Sequence, residues 1–274
     1  MISISGLTSQ TALRLIDVTR DRQIEVMRDD PANKRGEEAF RERIASISTP
    51  EELVADFEVY SFVMKAFDLE DQIFGKGMVR KILESDPVDE ASLLNRLTDS
   101  RFREMHLSLE FTTEDGPQDP DFSNETWVNE IVDRFYNRQF INENDNQNGT
   151  VGTVLEFREE VAGLNSWFEV LADEKLTKFF QITLNLPEQI SGLDLEVQKK
   201  LFEDKYDLAD LADPAEQERM ITRYMAISDV LNPPQFSAGS PAVSILQSAS
   251  FGAQFVPITL DVATVTFSAS QLYR

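Results

Sequence analysis

Cysteine is absent from this chain of 274 residues, which removes disulfides, thiolate nucleophiles and every Cys-containing metal site. Histidine occurs once, at His106, whereas metal-dependent and acid–base enzymes usually need histidines or a tuned carboxylate pair. Long apolar runs are missing too: no stretch approaches the ~18 residues that mark a membrane-spanning helix, so membrane insertion is not expected. The opening Met1–Leu7 has no basic region followed by an apolar segment, and no Sec-type signal peptide is expected.

Positive charge is scarce. Against 49 Asp and Glu stand 26 Lys and Arg, a formal charge of -23. Such a surplus repels phosphate backbones and anionic lipid, so nucleic acid is excluded as a partner. The surplus also keeps a surface solvated, and by itself it names no partner. Also missing are the dinucleotide fingerprint G-x-G-x-x-G, the P-loop G-x-x-x-x-G-K-[ST], the zincin H-E-x-x-H and the hydrolase elbow G-x-S-x-G.

What is present is an ordinary globular composition, 41% hydrophobic and 27% charged, enough to bury a sizeable core. It is also internally repetitive. Sliding the chain by 117 positions places Phe40-Arg41-Glu42 on Phe157-Arg158-Glu159, Ala55-Asp56 on Ala172-Asp173, Phe62 on Phe179, Leu69 on Leu186 and Gly75 on Gly192. The 36 positions from 40 to 75 carry 12 such identities. An offset of 116 extends the match upstream, with Asp17 on Asp133 and Arg22-Gln23 on Arg138-Gln139. The one-residue slip is expected to be a loop, at Asp29–Gly36 in the first copy and Asp145–Gly152 in the second.

The fold expected is mainly α: two tandem copies of a unit of four to five helices, at 1–115 and 118–231, followed by a low-charge segment at 232–274. The Pro-, Gly- and Asp-rich stretch 114–121 reads as the linker between copies. In the first copy Leu53, Phe57, Tyr60, Met64 and Phe67 recur at helical spacing as one buried face. Thr49-Pro50-Glu51-Glu52 starts that helix with a cap hydroxyl, a proline at the first position and acids against the dipole. Further helices are expected near 8–28, 37–46, 70–84 and 90–110. In the second copy the same face becomes Val170, Glu174, Thr177, Gln181 and Leu184, and the apolar load moves to Trp167, Leu171, Phe179 and Phe180.

From 232 onward the only charged residues are Asp261 and Arg274. Ser240–Leu246 can open a short helix, and Ile258, Leu260 and Val262 alternate with Thr259, Asp261 and Ala263 as in a strand. Two fates are open for that strand: packing on the rest of its own chain, or joining a partner by strand addition.

Three places carry polar chemistry. His106 lies in the helical stretch Phe102–Leu107 and reads as a partly buried helix residue. Asn144–Val151 alternates side-chain oxygens before Gly149 as a calcium loop does, but it begins with Asn and has Leu155 where the bidentate Glu belongs. Asp68, Glu70 and Asp71 read as acids at a helix start. No catalytic, cofactor-binding or metal-ligating residue is assigned, and no cofactor is expected.

Tyr60–Asp71, continuing through Lys81–Ser85, and the following Asn95–Phe102 resemble the family labelled domain of unknown function number twelve-seventeen, found in alphaproteobacteria and often among flagellar genes. Both copies fall within its pattern, the second departing at Thr177 and Gln181, and the C-terminal segment is not covered. The resemblance implies a flagellum-associated role and supplies no activity. On that basis the expected function is a non-enzymatic structural or assembly protein that works through protein partners, flagellar components among them, at a flagellum-associated or cytoplasmic location. The alternatives are a cytoplasmic adaptor or export chaperone and an enzyme of unrecognised type. The face of Phe57, Tyr60 and Met64 is open to two readings, partner contact or internal core. Oligomeric state is left open.

Overall fold

A computed structural model describes residues 2–111 and 121–233. These residues fall within one compact unit, Met1–Pro234. Outside the described residues lie most of the expected linker, the helix at 240–246 and the strand pattern that starts at 258. Among the described residues there are thirteen α-helices and no strand, and none of the helices is long and apolar enough to cross a membrane.

The first two helices, α1 (Ser9–Asp29) and α2 (Pro31–Arg43), meet at a single residue. Asp30 is that joint: its carboxylate accepts from the N–H groups of Ala32 and Asn33, and Pro31 follows at the first helical position. The same joint recurs between α8 (Glu125–Gln147) and α9 (Gly149–Glu160), where the Asn148 side chain accepts from Thr150 and Val151. The expected loops at 29–36 and 145–152 are therefore one-residue corners, because a strong cap lets the second helix start at once.

The helix expected from residue 50 is two helices, α3 (Pro50–Ala55) and α4 (Phe57–Ala66). Asp56 turns extended between them and its side chain accepts from the Val59 N–H, so it caps α4 while ending α3. Asp173 does the same between α10 (Trp167–Ala172) and α11 (Glu174–Thr183). Both α3 and α10 open with a complete capping box, Thr49 with Glu52 and Ser166 with Glu169. The break re-aims the apolar stripe: Leu53, Tyr60, Met64 and Phe67 are buried, but Phe57 is 55% exposed. Both α4 and α11 end on a left-handed residue, Asp68 at φ 56° and Asn185 at φ 54°, types that tolerate that region.

Three helices complete the first half, α5 (Lys76–Leu83), α6 (Leu93–Arg96) and α7 (Ser100–Leu109). The expected spans 70–84 and 90–110 are thus each interrupted, the second by Asp99, which caps α7 through the Arg101 N–H. The second half closes with α12 (Leu195–Glu203) and α13 (Pro214–Leu231).

Aromatic stacks run through the core. Phe40 of α2 stacks on Phe62 of α4 at 4.8 Å, and Phe62 on Phe135 of α8 at 4.2 Å. In the second half Phe157 of α9 stacks on Phe179 of α11 at 4.1 Å, and Phe179 meets Tyr224 of α13 at 4.8 Å. So α4 is seated between α2 and α8, and α11 between α9 and α13. α1 lies antiparallel along α8: the Ile4 N–H donates to Gln147 at 2.9 Å, Arg20 to Asn137 at 2.9 Å and Arg28 to Asp133 at 2.6 Å. At its N-terminal end Ser9 donates to the Asp229 carboxylate of α13.

Candidate functional site

The residues that carry the family resemblance are joined by one guanidinium. Arg101, at the start of α7, grips Asp99 through Nε at 3.0 Å and Nη2 at 2.8 Å. Its Nη1 donates to the backbone carbonyl of Asp68, the left-handed residue that ends α4, and lies 3.6 Å from the Asp68 carboxylate and 3.7 Å from that of Asp71. Burial pushes the Asp99 carboxyl up, but the hydrogen bonds and charge of Arg101 outweigh it and hold Asp99 below its ordinary value. Asn142 of α8 donates to Asp68 at 2.6 Å and ties the same corner to the second half. Asn95 braces the neighbouring loop through the carbonyls of Pro87 and Asp89. Glu70 and Asp71 sit in the first turn of a short 3-10 helix, Glu70–Gln72, as acids at a helix start, while Asp68 forms the left-handed corner before it.

Beside this clasp lies a buried ion cluster. Arg138 of α8 and Glu156 of α9 are 4% and 5% exposed and pair at 2.6 Å. Arg138 also reaches Glu160 at 3.4 Å. Arg134, one turn earlier, pairs with Glu104 of α7 at 2.5 Å and donates to the Ala66 carbonyl at 3.0 Å, with its guanidinium over the Phe67 ring. Three glutamates therefore share two arginines, and one Glu156 oxygen is buried without a hydrogen-bond partner. Burial first, and the nearby Glu104 charge second, push the Glu160 carboxyl up to about 7, against the pull of Arg138. The buried Arg138–Glu156 pair has no counterpart at the matched positions of the first half. Arg22, matched to Arg138, is on the surface, and Ala39 stands where the second half has Glu156.

The polar residues singled out by the sequence do not meet. His106 is buried in α7, its Nε2 sharing a hydrogen with the Ser85 carbonyl at 2.9 Å, as a packed helix residue would. Asn144 is buried in α8 and donates to the Phe140 carbonyl, while Asn148 caps α9, so the calcium-like stretch is helix and corner. Among the described residues no group of three or more His, Asp or Glu side chains is arranged to hold a metal ion. Of the Phe57, Tyr60 and Met64 face, Tyr60 and Met64 are core and only Phe57 reaches the surface. In the second half Thr177 donates to the Val170 carbonyl at 2.8 Å and Gln181 to Ser191 at 2.8 Å, so the polar residues there serve local bonds.

Sequence reasoning missed an open groove of about 440 Å³ between the start of α10, the second half of α12 and the 3-10 turn Leu208–Ala212. Trp167, Lys199, Glu203 and Tyr206 are among its lining residues. Its only signal in the sequence was the run of acids around those positions.

Against known proteins, the chain matches the crystal structure of protein AGR_C_984 from Agrobacterium tumefaciens, a structural-genomics target, with a TM-score of 0.73 and 26% identity over 85% of this chain and 98% of that one. No curated protein matches it. The model of the family described as "Protein of unknown function (DUF1217)" matches residues 66–217, from the end of α4 into the start of α13 and more than half of the chain. The chain belongs to the DUF1217 family.

Proposed function

We propose that this chain is a non-enzymatic, flagellum-associated structural or assembly protein that acts through contacts with other proteins. The observation that carries the contact half of the reading is the set of large apolar side chains left on a tightly packed body. Phe74 is 92% exposed, and Phe57, Phe168, Leu193 and Leu195 are exposed as well. Apolar side chains left in water are where contact with another protein would gain most, wherever several of them form one patch. The flagellar half rests on the family resemblance.

The buried groups favour the same class. The glutamates and arginines of the α7, α8 and α9 cluster bond to one another and to backbone, and they join the helices they sit on. Removing one partner of such a pair leaves an uncompensated buried charge, so the pairs hold these helices to one arrangement.

Fractionation of a motile alphaproteobacterial host carrying a tagged copy tests the reading. Recovery with purified hook-basal bodies or in the medium is the expected result. Confinement to the cytoplasm overturns the structural role and leaves the adaptor or export-chaperone reading in its place.

A further inference from the structure

We infer that the groove between α10, α12 and the 3-10 turn after α12 is a docking site for a short segment of a partner protein that carries bulky apolar side chains beside lysine or arginine. The inference deepens the protein-contact reading above and rests on it. Beneath the groove Trp167 is buried and stacks on Phe202 at 5.1 Å, while Asn165, Ser166, Lys199, Glu203 and Asp207 give the lining a mostly polar character. The Tyr206 hydroxyl, also at the groove, is buried and has no hydrogen-bond partner within the chain.

The rim is apolar and exposed. Phe168 is 41% exposed on α10, and the Lys199 ammonium sits over its ring at 5.3 Å. Leu195, 53% exposed, lies one turn before Lys199 on the same face of α12. These side chains stand on two helices that pack together, next in sequence or one turn away from the lining residues Trp167 and Lys199. Neither is needed for the core, which is closed beneath them by Trp167, Phe180 and Phe202.

Charge selects the occupant. From Glu188 to Glu218 there are ten Asp and Glu and three Lys. Glu203 and Asp207 line the groove itself, and Lys199 is already paired with Glu203 at 3.2 Å. A field of that sign draws basic segments and repels acidic ones. A second copy of this chain, with its formal charge of -23, is a poor occupant for the same reason. At the matched position of the first half Glu51 stands in place of Phe168.

The test uses the full chain and two fluorescein-labelled synthetic peptides of roughly twelve residues, one alternating Leu with Lys and the other Leu with Glu. Fluorescence anisotropy at about 0.15 M salt, where distant surface charges are largely screened, reads binding. Saturable binding of the Leu-Lys peptide and none of the Leu-Glu peptide is expected. The double variant Phe168→Ser, Leu195→Ser should weaken it at least about tenfold, a loss on the scale of one interface anchor. Asp207→Lys should also weaken it, while Val18→Ser, on the exposed face of α1, should leave it unchanged. Circular dichroism melts confirm that each variant is folded. The proposal is overturned if the Leu-Lys peptide fails to saturate, or if the groove variants bind it as the parent does, which is general attraction to an acidic surface. Loss of flagellar location would leave this result standing, and a negative anisotropy result would leave the location experiment standing.

Discussion

Phe62 of α4 stacks on Phe135 of α8 with ring centroids 4.2 Å apart, and through that contact the first half of the chain is seated on the second. Its match, Phe179, is seated in the same way by Phe157 and Tyr224. Truncating either ring empties a fully enclosed aromatic site. Phe62→Ala and Phe179→Ala are each expected to lower the unfolding free energy by about 3–5 kcal/mol. Urea titrations followed by circular dichroism measure this, and a loss below about 1 kcal/mol at either position would contradict the central role given to the stacks.

The matched glycines should respond with opposite signs. A Cβ added at Gly152 in α9 would stand 2.0 Å from the Asp145 carboxylate and 2.4 Å from the Asp145 Cβ, which no rotation of that side chain can relieve. Gly152→Ala must push α8 and α9 apart and is expected to destabilise by about 3 kcal/mol. At Gly36 in α2 the nearest atom would be a Phe62 ring carbon at 3.5 Å, an ordinary contact. Gly36→Ala is expected to stabilise by about 0.5–1 kcal/mol, because it removes unfolded-state freedom from a helix interior. Melting temperatures of the two variants moving in the same direction would refute the geometry at the α8–α9 corner.

Tyr60 separates ring from hydroxyl. Its ring is core, but its Oη is buried without a hydrogen-bond partner, and burial pushes its pKa up to about 12. Tyr60→Phe is expected to leave stability unchanged or raise it by up to about 1 kcal/mol, since it removes a group whose desolvation nothing offsets. Tyr60→Ala should cost about 3–5 kcal/mol, and Phe57→Ser, three residues away on the exposed side of the break, less than about 0.5 kcal/mol. Equal losses at 57 and 60 would mean that the stripe is one continuous face after all.

Glu160 makes stability depend on pH with a defined sign. Its folded pKa of about 7 lies above the ordinary 4.5, so between those values the folded chain holds a proton that the unfolded chain has released. Its contribution is fully present below about 4.5 and is lost as pH rises to about 7. The groups that face it are Glu104, Glu156, Arg134 and Arg138. Glu160→Gln keeps the shape and removes the titration. The melting temperature of Glu160→Gln relative to the parent should therefore climb between those pH values and level off above them. A flat difference across that range would place Glu160 outside the cluster's charge balance.

Much of the local structure was legible. Thr49-Pro50-Glu51-Glu52 announces a helix start because the cap, the proline and the acids all act within one turn, and the structure contains that capping box. The residues shared at an offset of 117 were legible for a related reason. Asp56 and Asp173 cap, Glu52 and Glu169 close boxes, and Phe40–Phe62 and Phe157–Phe179 stack. The breaks themselves were missed. Asp56 and Asp99 sit inside apolar periodicity that favours one long helix, and only the competition between a side-chain cap and the helical bond ladder ends it. Asp30-Pro31 carried a readable cap as well, but the offset change there suggested a loop.

The sequence by itself determined a helical chain, where several of its helices begin, and a strongly acidic balance of charge, because these depend on neighbours within a turn or on summed charge. Only the tertiary structure decided which of two matched positions is buried. Arg138 and Glu156 lie 18 residues apart, and Arg22 and Arg138 are matched in the repeat and each followed by Gln, yet one arginine is sealed between α8 and α9 and the other faces solvent. Burial is a property of which helices meet. That is set by contacts such as Phe62 on Phe135, between side chains far apart in the chain, whose pairing no local pattern encodes.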